Sequence, residues 1–224
     1  TMKIEMHTHT KESSPCAKLD ASSIVSLYKE AGYDAVVITD HYNKWCMEQS
    51  GSASSEEYTE YFLKGFETAK KAAGDELLIL PGIEVSLLES PNDFLLYGIT
   101  KDFLYNNPDI FRMTLKELHS LCKENNILLI QAHPNRGYCN PAPVDFLDGM
   151  EVYNGNPHHN NNNEKTYDIA KENNLIMTSG SDFHDKEYLA RGGIITDTRI
   201  NNINELTEIL KSSSYRLICD GEGK

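Results

Sequence analysis

Short runs of β-branched and aliphatic residues alternate with amphipathic stretches along the whole chain. Residues 3–6, 35–39, 77–81, 94–97, 127–131, 150–153 and 175–178 read as strands, and two more follow at 193–196 and 215–219. Between them the apolar positions take helical spacing. Asp20 can cap a helix carrying Ile24, Val25, Tyr28 and Ala31, closed by Gly32. A longer one spans 55–73, with Tyr58, Phe62, Phe66 and Ala69 on one face. Thr114 opens a third through Leu115, Leu118 and Leu121, Asn160 or Asn163 a fourth around 167–172, and Asn202 a last one through Leu206 and Leu210. This alternation predicts an α/β fold: a parallel sheet with crossover helices.

Two segments break the rhythm. Residues 42–54 are polar around a single tryptophan, and residues 154–163 form a low-complexity loop dominated by asparagine. Long loops in a compact barrel serve either as binding loops or as tolerated insertions, and both readings stay open here.

Composition narrows the class. A chain of 224 residues, 39% hydrophobic, fits one domain with a real core. No apolar stretch approaches the roughly 20 residues of a membrane span. Residues 1–6 lack a signal-peptide pattern, and five scattered cysteines read as reduced thiols, so a cytoplasmic location is expected. The net charge of −13 argues against nucleic acid as the main partner. Divalent cations in a pocket reverse the local field, so a small anionic substrate remains compatible.

The histidines and acids fall at the strand ends. His7 and His9 follow the first strand, Asp40 and His41 the second, Glu84 the third, His133 the fifth, and Asp182 and His184 the seventh. In a parallel α/β barrel these ends share one rim, so five segments deliver ligating side chains to one patch. Each signal alone is weak: a strand-end aspartate is often a helix cap and a His-x-His pair can be a surface accident. Their conjunction predicts a metal site. Nitrogen and oxygen donors without a thiolate pair suit zinc, manganese or iron, and fit magnesium alone poorly. Glu84 is positioned to bridge two ions that acidify a shared water.

These segments resemble the successive motifs of the PHP (polymerase and histidinol phosphatase) superfamily. The resemblance rests on His7-Thr8-His9, Thr39-Asp40-His41, Pro81-Gly82-Ile83-Glu84, Ala132-His133-Pro134 and Gly180-Ser181-Asp182-Phe183-His184, in the family's order. It implies a distorted TIM-like (β/α)7 barrel with a di- or trinuclear site that hydrolyses phosphoesters. It implies a first ion on His7, His9, Glu84 and Asp182, a second on Glu84 and His133, and a third on His41 and His184, with Asp40 beside the cluster. Two departures stand out. The family commonly has a second-site histidine ahead of its fourth strand, where Asp93 stands here. The family's extra first-motif ligand falls where residues 11–16 offer only Glu12 or Cys16, and Glu12 is the expected one.

Arg136, three residues beyond His133, is expected to grip a phosphate oxygen through its guanidinium. The proton for the leaving oxygen falls to Asp182, Asp40 or a histidine outside the cluster. Glu151 reads either as a support under the cluster or as an ordinary barrel ion pair. His119 reads as a plain helical histidine and His158 and His159 as loop residues, while Lys44, Trp45 and Arg191 are weaker pocket candidates. The expected activity is hydrolysis of a small phosphoester. Histidinol phosphate hydrolysis, a nuclease, an amidohydrolase and a non-catalytic metal-binding module are the rivals.

Overall fold

Strands buried on both faces read as near-continuous apolar runs, and that is how this chain encodes its sheet. The computed structural model describes residues 1–220 and the backbone of 222–223. The chain runs β1 (Met2–Thr8), α1 (Ala21–Glu30), β2 (Ala35–Ile38), β3 (His41–Tyr42), α2 (Lys44–Ser50), α3 (Ser55–Ala73), β4 (Leu78–Ser86), β5 (Asp93–Tyr97) and α4 (Lys101–Asn106). It continues α5 (Leu115–Glu124), β6 (Leu128–Gln131), β7 (Gly149–Asn154), α6 (Asn163–Glu172), β8 (Ile176–Gly180), β9 (Gly192–Thr196), α7 (Ile203–Ser212), β10 (Arg216–Cys219) and β11 (Glu222–Gly223). Alternate residues along a strand join different cores. Ala35 and Val37 of β2 pack with Ile4, Met6, Leu95, Tyr97 and Ile130, whereas Val36 and Ile38 pack outward against Ile24, Val25 and Tyr28 of α1. Phe94 and Leu96 of β5 likewise face Phe103, Phe111 and Leu118.

The sheet order is β11-β10-β9-β1-β2-β4-β5-β6-β7-β8, with β3 beside β4. It curls into a nearly closed, distorted barrel. β9 pairs with Met2, Lys3 and Ile4 at the start of β1. The segment after β8 pairs with the end of β1: Phe183 N donates to His7 O at 3.1 Å and His9 N to Phe183 O at 3.0 Å. The α/β expectation holds and all nine expected strands form, but the sheet is mixed rather than parallel. β5 runs antiparallel to β4 and β6, and β9 antiparallel to β1 and β10. The physical reason at β5 is the connection. Residues 87–92 are too few for a parallel crossover, which takes a dozen or more.

The helices start where the sequence provides caps. Asp20 accepts from Ser23 N, Ser54 from Glu57 N and Asn202 from Glu205 N, and Thr114 with Glu117 completes a capping box. The polar segment 42–54 holds a helix the apolar pattern could not show. α2 buries only Cys46, is capped by Asn43 and stops at Gly51, whose φ is +71°. Among the described residues no helix is long and apolar enough to cross a membrane.

One buried carboxylate ties the barrel seam together. Glu5 is fully buried and accepts from the backbone N–H groups of Met6, His7 and Ser181 and the hydroxyls of Ser181 and Tyr28. Burial lifts its carboxyl to about 7 against those five donors. It joins β1, α1 and the turn after β8 directly beneath His7. Glu5→Gln would set an amide donor against donors and lower unfolding free energy by about 2 kcal/mol. Tyr28→Phe would cost about 1 kcal/mol. Urea unfolding, read from midpoints at constant slope, checks both.

Candidate metal centre

The barrel geometry decides which side chains meet. The C-terminal ends of β1, β2, β4, β6 and β8 open on one rim. Because β5 runs the other way, its first residue, Asp93, lies on that rim too, paired with Ser86 at the end of β4. Glu84 lies inside β4 rather than beyond it, since the strand continues through Pro81-Gly82 to Ser86. A Cβ on Gly82 would lie 2.8 Å from Val37 and 2.9 Å from Thr39, so glycine there lets β4 close against β2. Gly180 has the same role at the seam, where a Cβ would lie 2.4 Å from that of His7.

At the centre, the Nε2 atoms of His7 and His9 lie 3.3 and 3.2 Å from Glu84 Oε2, and 3.4 and 3.3 Å from Asp182 Oδ1. All four side chains are buried. On one side His133 Nε2 lies 3.2 Å from Glu84 Oε1 and 3.7 Å from Asp93 Oδ2, with the Cys139 thiol 3.7 Å from its other nitrogen. On the other, His41 Nδ1 lies 3.0 Å from Glu84 Oε2, and the rings of His41 and His184 stack on His9 with centroids 4.1 and 4.2 Å away. Three groups of donor atoms result: His7, His9, Glu84 and Asp182; Asp93, His133 and Cys139; His9, His41 and His184.

The donor set fits metal ions by its geometry. His7 Nε2, His9 Nε2, His41 Nδ1 and Glu84 Oε2 are buried and lack any hydrogen-bond partner, although they crowd together. They aim at common points rather than at one another. A buried polar atom left unpaired costs about 1–3 kcal/mol, and cations at those points would satisfy all four.

The electrostatics show how the protein holds the cluster. Burial would lower the His7 pKa, but the charges of Glu151, Glu84 and Asp182 raise it well above the imidazole range. Burial would raise Glu84 and Asp182, yet His7 with His41, and His7 with Arg136, hold them well below the carboxylate range. His133 is lifted to about 10, since the Cys139 thiol and Glu84 outweigh its burial. Asp93 moves up, chiefly because burial opposes its charge.

Behind these side chains stands a shell that fixes them. Glu151 accepts from His7 Nδ1 at 2.7 Å, which leaves Nε2 free to ligate. Its other oxygen accepts from His133 N and Asn154 Nδ2. Glu151 is therefore a support under the cluster. Asp40 is buried and fully engaged, accepting from Thr10 N, Thr10 Oγ1 and Ser14 Oγ; it reaches His9 only through Ser14, whose hydroxyl lies 3.4 Å from Nδ1. Asp182 and His133 have φ of +53° and +28°, a backbone strain that the surrounding bonds hold in place.

Arg136 differs most from its expected place. Its guanidinium is buried and occupied, Nη2 donating to Asp182 Oδ2 at 2.7 Å and Asn154 Oδ1 at 3.1 Å, and Nε to Asn161 Oδ1 at 2.8 Å. It lines the cavity but grips a carboxylate of the protein. The asparagine loop supplies that cradle, with Asn154, Asn156 and Asn161 all buried and both Asn154 and Asn156 within hydrogen-bond reach of Asp182. Sequence reasoning missed these residues. The available signal was the loop's position directly after the rim end of β7.

Glu12 is also elsewhere. Both its oxygens lie 3.0 Å from Ala21 N, at the first turn of α1. Cys16 lines the cavity beside His41 and His184; burial would raise its thiol pKa, but those two imidazoles draw it down to about 6. Among the remaining candidates, His159 is on the cavity wall and His158 pairs with Glu187. His119 lies near Phe146, Lys44 and Trp45 line a separate surface groove, and Arg191 pairs with Asp220. The cluster floors a cavity of about 340 Å³ walled by Cys16, Arg136, Tyr138, Asn156, His159 and Tyr188.

A histidine–carboxylate centre at the mouth of a distorted α/β barrel defines a class of metal-dependent protein. The chain belongs to the PHP family, whose PHP domain profile matches residues 5–217. It is similar in fold to the two-domain protein from Bacteroides vulgatus that contains a predicted PHP-like metal-dependent phosphoesterase, with TM-score 0.72 and 15% identity over 99% of this chain and 66% of that one. PsfC from Pseudomonas syringae gives 0.68 and 15% over 95% and 96%. The lesion-specific endonuclease PfuEndoQ from Pyrococcus furiosus gives 0.64 and 14% over 96% and 57%. This chain thus spans about two thirds of the Bacteroides protein. No curated protein matches the sequence.

Metal loading should stabilise the fold. At free zinc or manganese about one hundred times its dissociation constant, the gain is about 2.7 kcal/mol, seen by calorimetry as a higher melting temperature that a chelator reverses. His9→Ala, which empties a place in two groups, should lose more of that gain than His133→Ala. An unchanged melting temperature in the unmutated protein would count against the site.

Proposed function

We propose that this chain hydrolyses a small phosphoester, using two or three divalent transition-metal ions (zinc, manganese or iron) at the cavity floor. The observation that carries the reading is the convergence of four buried, unpaired donor atoms beneath a cavity of about 340 Å³. That volume sits at the small end of ligand pockets, which span roughly 300–1,000 Å³. Membership of the PHP family supports phosphoester chemistry. When bound, such ions supply an acidified water and neutralise charge growing on phosphorus-bound oxygens.

The chain's own residues divide the work. His7, His9, Glu84 and Asp182 hold the first ion, Glu84 with His133 and Asp93 the second, and His41 with His184 the third. Glu151 fixes the tautomer of His7. Arg136 fixes Asp182, drawing Oδ2 away so that Oδ1 faces the two histidines. Asp40 has no free oxygen for a proton and braces the loop before α1. His159, on the wall and outside the three groups, is placed to carry the proton to the leaving oxygen.

The acidic surface disfavours a long polyanion, while one structural neighbour, endonuclease Q, is bound to a 27-mer duplex with an abasic lesion. A phosphate-release screen therefore covers sugar phosphates, nucleotides, histidinol phosphate, a chromogenic diester and such a duplex, with manganese, iron and zinc added separately. Turnover of a small ester and silence on the duplex is the expected result. Preference for the duplex would reassign the substrate, and bound metal with no turnover anywhere would favour a binding module. Against the responsive ester, Glu151→Gln should cost about 10–100-fold, and His9→Ala or Asp182→Asn should cost more with the fold retained.

A further inference from the structure

The rim does not end at the metal donors. β3 and β4 run side by side, with His41 opposite Glu84 and Tyr42 opposite Val85. Side chains alternate along extended chain, so Asn43 and Ser86, two residues further on, return to the face that carries His41 and Glu84. Asn43 keeps that alternation, with φ −157°. Its Nδ2 donates to Ser86 Oγ at 3.4 Å, and Ser86 Oγ donates to Asp93, which lines the metal cavity. The contact of Ser86 with Asp93 is therefore the partition between that cavity and its neighbour.

The neighbour is a groove of about 490 Å³, floored by buried Leu87 and walled by Trp45 and Leu88. Its volume suits a small organic group. Trp45 and Leu88 are each 53% exposed, an apolar pair left open to solvent. Trp45 is held there by its helix. Asn43 caps α2 by accepting from Cys46 N, Cys46 is buried, and the Tyr58 hydroxyl accepts from Asn43 N and donates to His41 O. Leu88 is held by its N–H, which donates to Phe111 O at 2.9 Å. The two charges on the groove, Lys44 and Glu48, pair with each other at 3.9 Å and cancel. An apolar surface fixed open beside a cluster of ligating groups marks a place for ligand.

We infer that this groove seats a planar aromatic ring in the leaving group of the phosphoester, stacked on Trp45 against Leu88. The inference rests on the proposed phosphoester hydrolysis and narrows its substrate class. A second phosphate would meet no net charge in the groove, whereas the indole face favours a flat, uncharged ring. Spacing narrows the class again. Ser86 lies two residues beyond Glu84, about 7 Å along the strand. A ring bonded directly to the phosphate oxygen falls short of the groove, and a ring carried on a sugar-sized spacer reaches it. The ligand class is a heteroaromatic base on a sugar phosphate.

Trp45 is the sole tryptophan of the chain, so its emission reports the groove directly. Zinc-loaded protein mixed in a stopped-flow cell with adenosine 5′-monophosphate should lose emission before phosphate appears. Ribose 5-phosphate, which keeps the sugar and phosphate but lacks the ring, should leave the emission unchanged. In phosphate release the nucleotide should show the lower KM. Trp45→Ala should cut that preference about tenfold, the scale of one base stacked on an aromatic side chain, and Trp45→Phe should restore most of it. Equal KM values for the two esters, or emission indifferent to a nucleotide that is turned over, would overturn the groove assignment and leave the phosphoesterase standing. Hydrolysis of some other ester with neither probe accepted would do the same. So would a Trp45→Ala protein that keeps the preference but loses self-association, which would give the groove to a second copy of the chain. Silence on every phosphoester would overturn the proposed function as well, so the two failures are distinct.

Discussion

The structure turns on one carboxylate. Glu84 is buried inside β4 with three imidazoles within 3.3 Å of one oxygen and a fourth 3.2 Å from the other. A charge in that position is expensive to desolvate, and it persists only because opposite charge surrounds it. His7 and His41 pull its pKa well below the ordinary range, so it stays an anion in the core. The same arrangement leaves its Oε2 and three ring nitrogens without hydrogen-bond partners. Cations at the points where these atoms converge would satisfy them all, which accounts for a site built at such cost to folding.

The rest of the rim answers to that constraint. Several of the donors are held from behind: His7 by Glu151, Asp182 by Arg136, the His9 loop by Asp40, and the seam beneath by Glu5. Buried polar networks of this kind are stable only when nearly every member is satisfied. That explains why the asparagine loop is ordered through its side chains. Asn154 and Asn161 complete the guanidinium of Arg136 and have no apolar alternative.

Much of this was legible in the sequence. The nine strands and five helices were marked by apolar runs and caps, and eight of the nine expected ligands sit on the rim because strand ends are where barrels place them. Glu12 was the exception. Its carboxylate accepts from Ala21 N at the first turn of α1, a local bond that strand-end position does not encode. Arg136 was placed at the right rim, and the structure adds a partner that the sequence does not name, the Asp182 carboxylate. The reversal of β5 was hidden in a connection length, and it is this reversal that brings Asp93 to the site. Low complexity concealed which asparagines are buried, because identical letters carry no pattern of burial.

The most direct measurement is anomalous X-ray diffraction from crystals loaded with manganese or zinc, recorded on either side of the metal's absorption edge. The account predicts a peak within bonding distance of His7 Nε2, His9 Nε2, Glu84 and Asp182 Oδ1, with at least one more flanking Glu84. Loaded crystals with no peak among these four side chains would contradict it.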